Sequence, residues 1–274
     1  MSAITISLIQ ANLVWENKEA NLRYFEEQLA MLAGKTQVVF LPEMFSTGFS
    51  MNPSALAETM DGPGLTWMIE HARKYRMILC GSLIIEDGES ETGEPAYYNR
   101  MLWVLPNGQI GHYDKKHLFA FAGEDQHYKQ GNRRFVASVN GWRINLLICY
   151  DLRFPVWARQ SPADTAGTWE YDMLVYVANW PERRSHAWKT LLQARAIENQ
   201  CYVVGVNRVG EDGNQINHSG DSMIIDPLGG IMKDAGNAET TLTVTLKKED
   251  LLEIRDRFPF WRDADHFLLL PDES

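Results

Sequence analysis

The sequence is poor in cysteine, in positive charge and in long apolar runs, and each shortage closes off a class of protein. Three cysteines occur in 274 residues, Cys80, Cys149 and Cys201, and no two stand at C-x-x-C spacing. That count excludes a disulfide framework and a cysteine-built zinc site, and it suits a reducing, cytoplasmic compartment. Lys and Arg total 26 against 36 Asp and Glu, a formal charge of −10. Such a chain lacks the concentrated positive face that nucleic acids and anionic membranes require, and the pairs Arg133-Arg134 and Arg183-Arg184 do not supply one. No apolar stretch reaches the roughly 18 residues of a membrane span. The first residues alternate apolar and polar without a basic flank, so they read as a strand and not a signal peptide. With no Pro/Gly/Ser-rich linker and no fixed repeat, one domain over 1–274 is the simplest organisation.

What is present is the makings of a large core, since 45% of the residues are hydrophobic. Strand-like runs are expected at Ile4–Gln10, Val38–Leu41, Met77–Ile85, Tyr97–Leu105, Ile110–Leu118, Ile144–Ile148, Met173–Ala178, Tyr202–Asn207, Ser222–Asp226 and Thr240–Thr245. Helical spacing of apolar residues marks Lys18–Ala33 and His186–Asn199, with shorter helices at Leu65–Tyr75, Pro155–Gln160 and Lys248–Arg257. Asn107-Gly108 and Asp226-Pro227-Leu228-Gly229-Gly230 are turn signals, and the acidic run Glu86–Glu91 reads as a solvated hairpin loop. Interleaved strands and helices of this kind build an α/β fold with mixed sheets covered by helices.

Four apolar strands run into polar residues: Val38–Leu41 into Glu43, Ile144–Ile148 into Cys149, Met173–Ala178 into Asn179 and Tyr202–Val206 into Asn207. The carboxyl ends of neighbouring strands commonly open on one ligand crevice. Equally, strands turn polar wherever they leave a core. Cys149 sits at a strand-to-helix turn, where backbone N–H groups can activate a thiol and hold an oxyanion. Cys80 and Cys201 lie within apolar runs and read as packing. A cysteine nucleophile requires a base. The histidines are His71, His112, His117, His127, His186, His218 and His266, none in a recognisable protease context. A carboxylate held out of water, Glu43, is the alternative base. In Tyr113–Phe119, strand alternation sends one of Lys115 and Lys116 inward and the other outward without saying which.

Leu41-Pro42-Glu43, Lys115-x-His117-Leu118-Phe119 and Cys149-Tyr150-Asp151-Leu152-Arg153-Phe154-Pro155 resemble, in order and spacing, the three motifs of the nitrilase superfamily of carbon–nitrogen hydrolases. The resemblance continues through Ala178–Pro181, Gln193–Asn199, Asn207–Gly210 and Ser219–Ser222, and its wording is most similar to the omega-amidase branch. It implies a four-layer αββα sandwich, paired into homodimers, with residues from about 247 onward at a subunit interface. It also implies Glu43 as general base, Cys149 as nucleophile, Lys115 as the functional lysine, and Glu124, beside Asp125, as a second acid. The Tyr150 backbone N–H would share the oxyanion with Lys115. No metal or organic cofactor is implied. The substrate would be a small linear amide such as 2-oxoglutaramate or 2-oxosuccinamate. Arg153, then Arg183 and Arg208, are candidates for holding its carboxylate, with Phe119 and Trp180 as walls. Carbamoyl amino acids, other short amides and nitriles would use the same three residues. A catalytically silent binding protein and a Cys-His hydrolase on another fold are the readings from other classes. One departure is Val156, where many relatives carry a Glu that would contact Arg153.

Overall fold

The computed structural model describes residues 2–90, 93–160, 169–265 and 267–269. Among these, two six-stranded mixed sheets stack face to face. The first contains β1 (Ala3–Gln10), β2 (Val38–Phe40), β3 (Ile78–Glu89), β4 (Pro95–Val104), β5 (Ile110–Asp114) and the late strand β14 (Thr240–Lys247), in the order β14-β1-β2-β3-β4-β5. The second runs β13-β12-β9-β8-β7-β6, from β6 (Val136–Val139), β7 (Trp142–Ile148), β8 (Met173–Ala178), β9 (Tyr202–Asn207), β12 (Met223–Ile225) and β13 (Ile231–Asp234). A ribbon of β10 (Val209–Glu211) and β11 (Asn217–Ser219) stands apart. Each sheet has a parallel centre, β1-β2-β3 and β7-β8-β9, flanked by antiparallel strands.

The period of two in each strand decides which layer each residue joins. Val38 and Phe40 face the inter-sheet core with Ile4, Ile6, Leu8, Leu146 and Ile148. Val39 and Leu41 point the other way, against α1 (Lys18–Leu32) and α3 (Pro63–Tyr75) through Phe25, Leu29, Leu65 and Met68. Trp188, Leu192 and Ala196 of α6 (Ser185–Asn199) pack on the second sheet. Helix, sheet, sheet and helix thus make the expected four layers. The shorter helices are α2 (Pro53–Leu56), α4 (Glu124–His127), α5 (Pro155–Ala158) and α7 (Lys248–Arg257). Among the described residues no helix is long and apolar enough to cross a membrane.

Local chemistry sets the ends. The Asn17 carboxamide accepts from Ala20 N at 3.0 Å and caps α1. Pro63 opens α3, and Arg76 closes it in the left-handed conformation. The expected strand Ile110–Leu118 stops at Asp114, because the chain turns inward at Lys115, whose N–H donates to Asn99 O at 3.0 Å. Asn107-Gly108 does make the β4–β5 turn, with Gly108 at φ 87°. In α7, Leu251 is buried, and Arg255 donates to Gln200 O and Tyr171 O.

Candidate active site

The polar strand ends meet. After β2, Met44 N donates to Ser82 Oγ at 2.7 Å and Phe45 N to Ser82 O at 3.2 Å, which fixes the turn that carries Glu43. One Glu43 oxygen accepts from Lys115 Nζ at 2.9 Å and Asn99 Nδ2 at 2.8 Å; the other accepts from Asn179 N at 2.8 Å. Asn179 Nδ2 returns to Glu43 O at 2.6 Å. Asn207, at the end of β9, accepts from Trp180 N at 2.7 Å and so ties β9 to β8 above the same point. Convergence, not mere exit from the core, explains these four polar termini.

Lys115 is the inward lysine. Its ammonium lies 2.9 Å from both Glu124 oxygens as well as from Glu43, and all three side chains are 0% exposed. Lys116 is half-buried and rests over the Trp157 ring at 5.7 Å. Gly123, at φ 76°, turns the chain so that α4 begins with Glu124 inside and Asp125 exposed, so that Glu124 and not Asp125 meets Lys115. Glu124 also accepts from Phe119 N at 2.6 Å. Burial pulls the Lys115 ammonium down, but the Glu124 and Glu43 carboxylates outweigh it and hold the lysine charged. Glu124 moves up from the ordinary carboxylate range, through burial and against the pull of Lys115, with Glu43 adding to the rise.

Cys149 begins a short 3-10 turn, Cys149–Arg153, directly after β7, with φ at +43°. Burial first, then the Glu43 carboxylate, pushes its thiol well above the ordinary range, with Lys115 opposing. The resting sulfur is therefore a thiol beside a carboxylate that can take its proton. Asp151 locks the turn in place. Its carboxylate accepts from Ile148 N at 2.9 Å, Tyr113 Oη at 2.8 Å and His117 N at 3.0 Å, and pairs with His117 Nδ1 at 2.8 Å. The lysine loop and the cysteine turn are thus bound to one buried anion. His117 is committed to that anion and stacks on Phe154 at 3.9 Å, while His218 faces Gly210 O. His266 lies outside the described residues.

Above the cysteine opens a cavity of about 540 Å³ lined by Phe119, Tyr150, Arg153, Trp180, Arg183 and Arg184, among others. Glu43, Lys115 and Glu124 lie beneath its floor. Arg208 is a correction: it is 0% exposed, away from the lining, and donates to the carbonyls of Val209, Leu13 and Glu211. A guanidinium surrounded by backbone carbonyls holds the β9–β10 turn and not a ligand. Val156 is 50% exposed, and Arg153 rests instead on the Trp180 ring at 5.0 Å. Three residues escaped the sequence reading. Asn99 hid inside a strand, Asp151 was visible only as part of a motif, and Arg184 read as half of a surface basic pair.

Two stacked sheets with helices outside, and one pocket ending on a cysteine above buried acids and a lysine, describe a hydrolytic α/β enzyme. The chain belongs to the carbon–nitrogen hydrolase family, whose profile matches residues 5–256. It is 44% identical over 270 residues to omega-amidase YafV of Escherichia coli strain K12, covering 98% of this chain and 100% of that one. Against the 2-oxoglutaramate amidase of Bacillus subtilis it is 30% identical over 262 residues, 94% of this chain and 96% of the other. Among solved structures, XC1258 of Xanthomonas campestris, a CN-hydrolase superfamily protein with an arsenic adduct in its active site, superposes with a TM-score of 0.92. That protein is 42% identical to this chain, covering 98% of it and 100% of XC1258.

Proposed function

We propose that the protein hydrolyses the omega-amide of a small 2-oxo acid, such as 2-oxoglutaramate or 2-oxosuccinamate, to the dicarboxylate and ammonia. The observation that carries the chemistry is the buried Glu43–Lys115–Glu124 group under Cys149. The substrate class is supported by the names of the relatives above, omega-amidase and 2-oxoglutaramate amidase. In this reading Glu43 takes the thiol proton as sulfur attacks the amide carbon. Lys115 and the Tyr150 N–H hold the developing oxyanion. Protonated Glu43, assisted by Glu124, passes its proton to the departing ammonia, and the carbonyl re-forms as a thioester. The same carboxylate then draws a proton from water, which attacks the thioester and releases the acid. Phe119 and Trp180 form walls, and Arg153 and Arg183 face the far end of the substrate.

The test is ammonia release from 2-oxo-acid amides, carbamoyl amino acids and simple nitriles. Cys149→Ala abolishes turnover with folding intact, Lys115→Ala loses at least ~10²-fold, and Lys116→Ala stays near the parent. Substantial activity in Cys149→Ala, or the reverse order of the lysines, overturns the assignment, and release from nitriles alone overturns the substrate class. The reading includes a cytoplasmic homodimer. Ile197 of α6 and Leu252 of α7 are 54% and 50% exposed and offer apolar contacts for pairing. Light scattering at the monomer mass of 31.3 kDa would refute it.

A further inference from the structure

The cavity above Cys149 carries guanidinium groups whose charge no carboxylate among the described residues answers. Arg100, Arg195 and Arg255 each pair with a carboxylate. Arg153, Arg183 and Arg184, all in the lining, have no such partner among the described residues. The acids of the same lining are spent on their own wall. Glu16 accepts from Ser50 Oγ at 2.5 Å, and Asp212 from Asn214 N and Ile216 N at 2.8 and 3.0 Å. Of the three arginines, Arg183 is exposed, while Arg153 and Arg184 are half-buried. Arg184 lies 5.1 Å over the Phe119 ring, and that ring meets Tyr150 edge-on at 4.9 Å, next to Cys149. Its main chain is held, because its carbonyl accepts from Trp180 Nε1 at 2.9 Å. Arg153 sits on Trp180 itself. Arg153 and Arg184 are thus each shelved on an aromatic face, and the shelf of Arg184 meets Tyr150 beside the thiol.

The geometry points to Arg184, seconded by Arg153, as the binding site for a carboxylate at the end of the substrate remote from the scissile amide. Arg184 is then the residue that sets preference for anionic over neutral amides. This rests on the omega-amide reading and gives it a specificity determinant. A planar fork on an aromatic shelf is pre-organised for a bidentate, charge-assisted pair with a carboxylate. Burial, then Arg183 and Arg153, already hold Arg184 below the ordinary guanidinium range, a strain that a bound anion relieves. Stacking on Phe119 fixes the guanidinium at the cavity wall, with one ring between it and Tyr150. A chain bearing that carboxylate would therefore present its far end, the amide, to the sulfur.

The experiment compares kcat/KM for 2-oxoglutaramate with that for pentanamide, which has the same carbon count without the charge, in the parent and in R184Q, R184K, R153Q and R183Q. Inhibition by 2-oxoglutarate, which requires no turnover, is measured alongside, and thermal unfolding checks folding. R184Q is expected to narrow the preference for the anionic amide by roughly 10- to 100-fold. The change is carried by KM and matched by a similar rise in the 2-oxoglutarate inhibition constant. R184K, which keeps the charge and the fold but loses the fork, falls between, and R183Q changes less. Unaltered preference and inhibition in R184Q and R184K overturn the assignment, as does a full loss confined to R153Q. Failure of the parent on every carboxylate-bearing amide is a separate result, and it overturns the substrate reading itself.

Discussion

At the scale of single residues, charge and burial decide what each group does. Lys115 is tolerable at 0% exposure only because two carboxylates meet it. Alternation along Tyr113–Phe119 narrowed the choice to one of two lysines but carried no further, since the partners come from residues 43, 99 and 124, remote in sequence. Arg184 was illegible for a related reason: its shelf, Phe119, comes from another loop. His218 gives the residue scale its pH signature. Burial, then Arg208, holds its imidazole down from 6.5 to about 4. An unfolded chain takes up that proton near 6.5, whereas the folded chain resists until about 4. Folding stability is therefore whole above 6.5 and falls as the pH drops to about 4, by about 3 kcal/mol in all. Thermal unfolding across that range should show this slope in the parent and lose it in His218→Gln. An equal slope in both would mean that His218 plays no part.

Between elements, the junctions matter more than the elements themselves. The longer helices were legible from spacing, and α7 falls at Lys248–Arg257 as expected, whereas the four-residue α2 and α4 were not. The short strands β6, β10, β11 and β13 were not legible either: equally short β2 and β12 stand out because every residue is apolar and buried, whereas all four residues of β13 are exposed. The terminus of β5 was overrun for want of any local signal that the chain would bend toward Asn99. Asp151 is the junction with the largest consequence. It joins the end of β7 to the loop after β5, so it sets the distance between the lysine and the cysteine turn. Asp151→Ala strands three donors in the interior and should cost about 3 kcal/mol of stability. It should also lower kcat more than it raises KM, because the reacting groups separate while the pocket walls stay. Denaturant unfolding and steady-state kinetics check both, and parental values of either would refute the tie.

For the whole molecule, the class of fold was legible in the order of strands and helices, while the order of strands within each sheet was not. The reason is β14: the chain completes the second sheet before returning to pair residues 240–247 along the full length of β1. The sheets also share one core, from Ile4 to Leu246. We propose that residues 1–274 act as one cooperative unit, with a single unfolding transition coincident by fluorescence and circular dichroism. Two separated transitions would divide the domain. Against that cooperativity stand the non-glycine residues held at positive φ, and at the candidate site these include Cys149 at φ +43°. Glycine there would relax the main chain by about 1 kcal/mol relative to alanine, a difference thermal unfolding resolves. On the mechanism proposed above, the left-handed backbone at Cys149 is a stability cost that only the chemistry of its sulfur offsets.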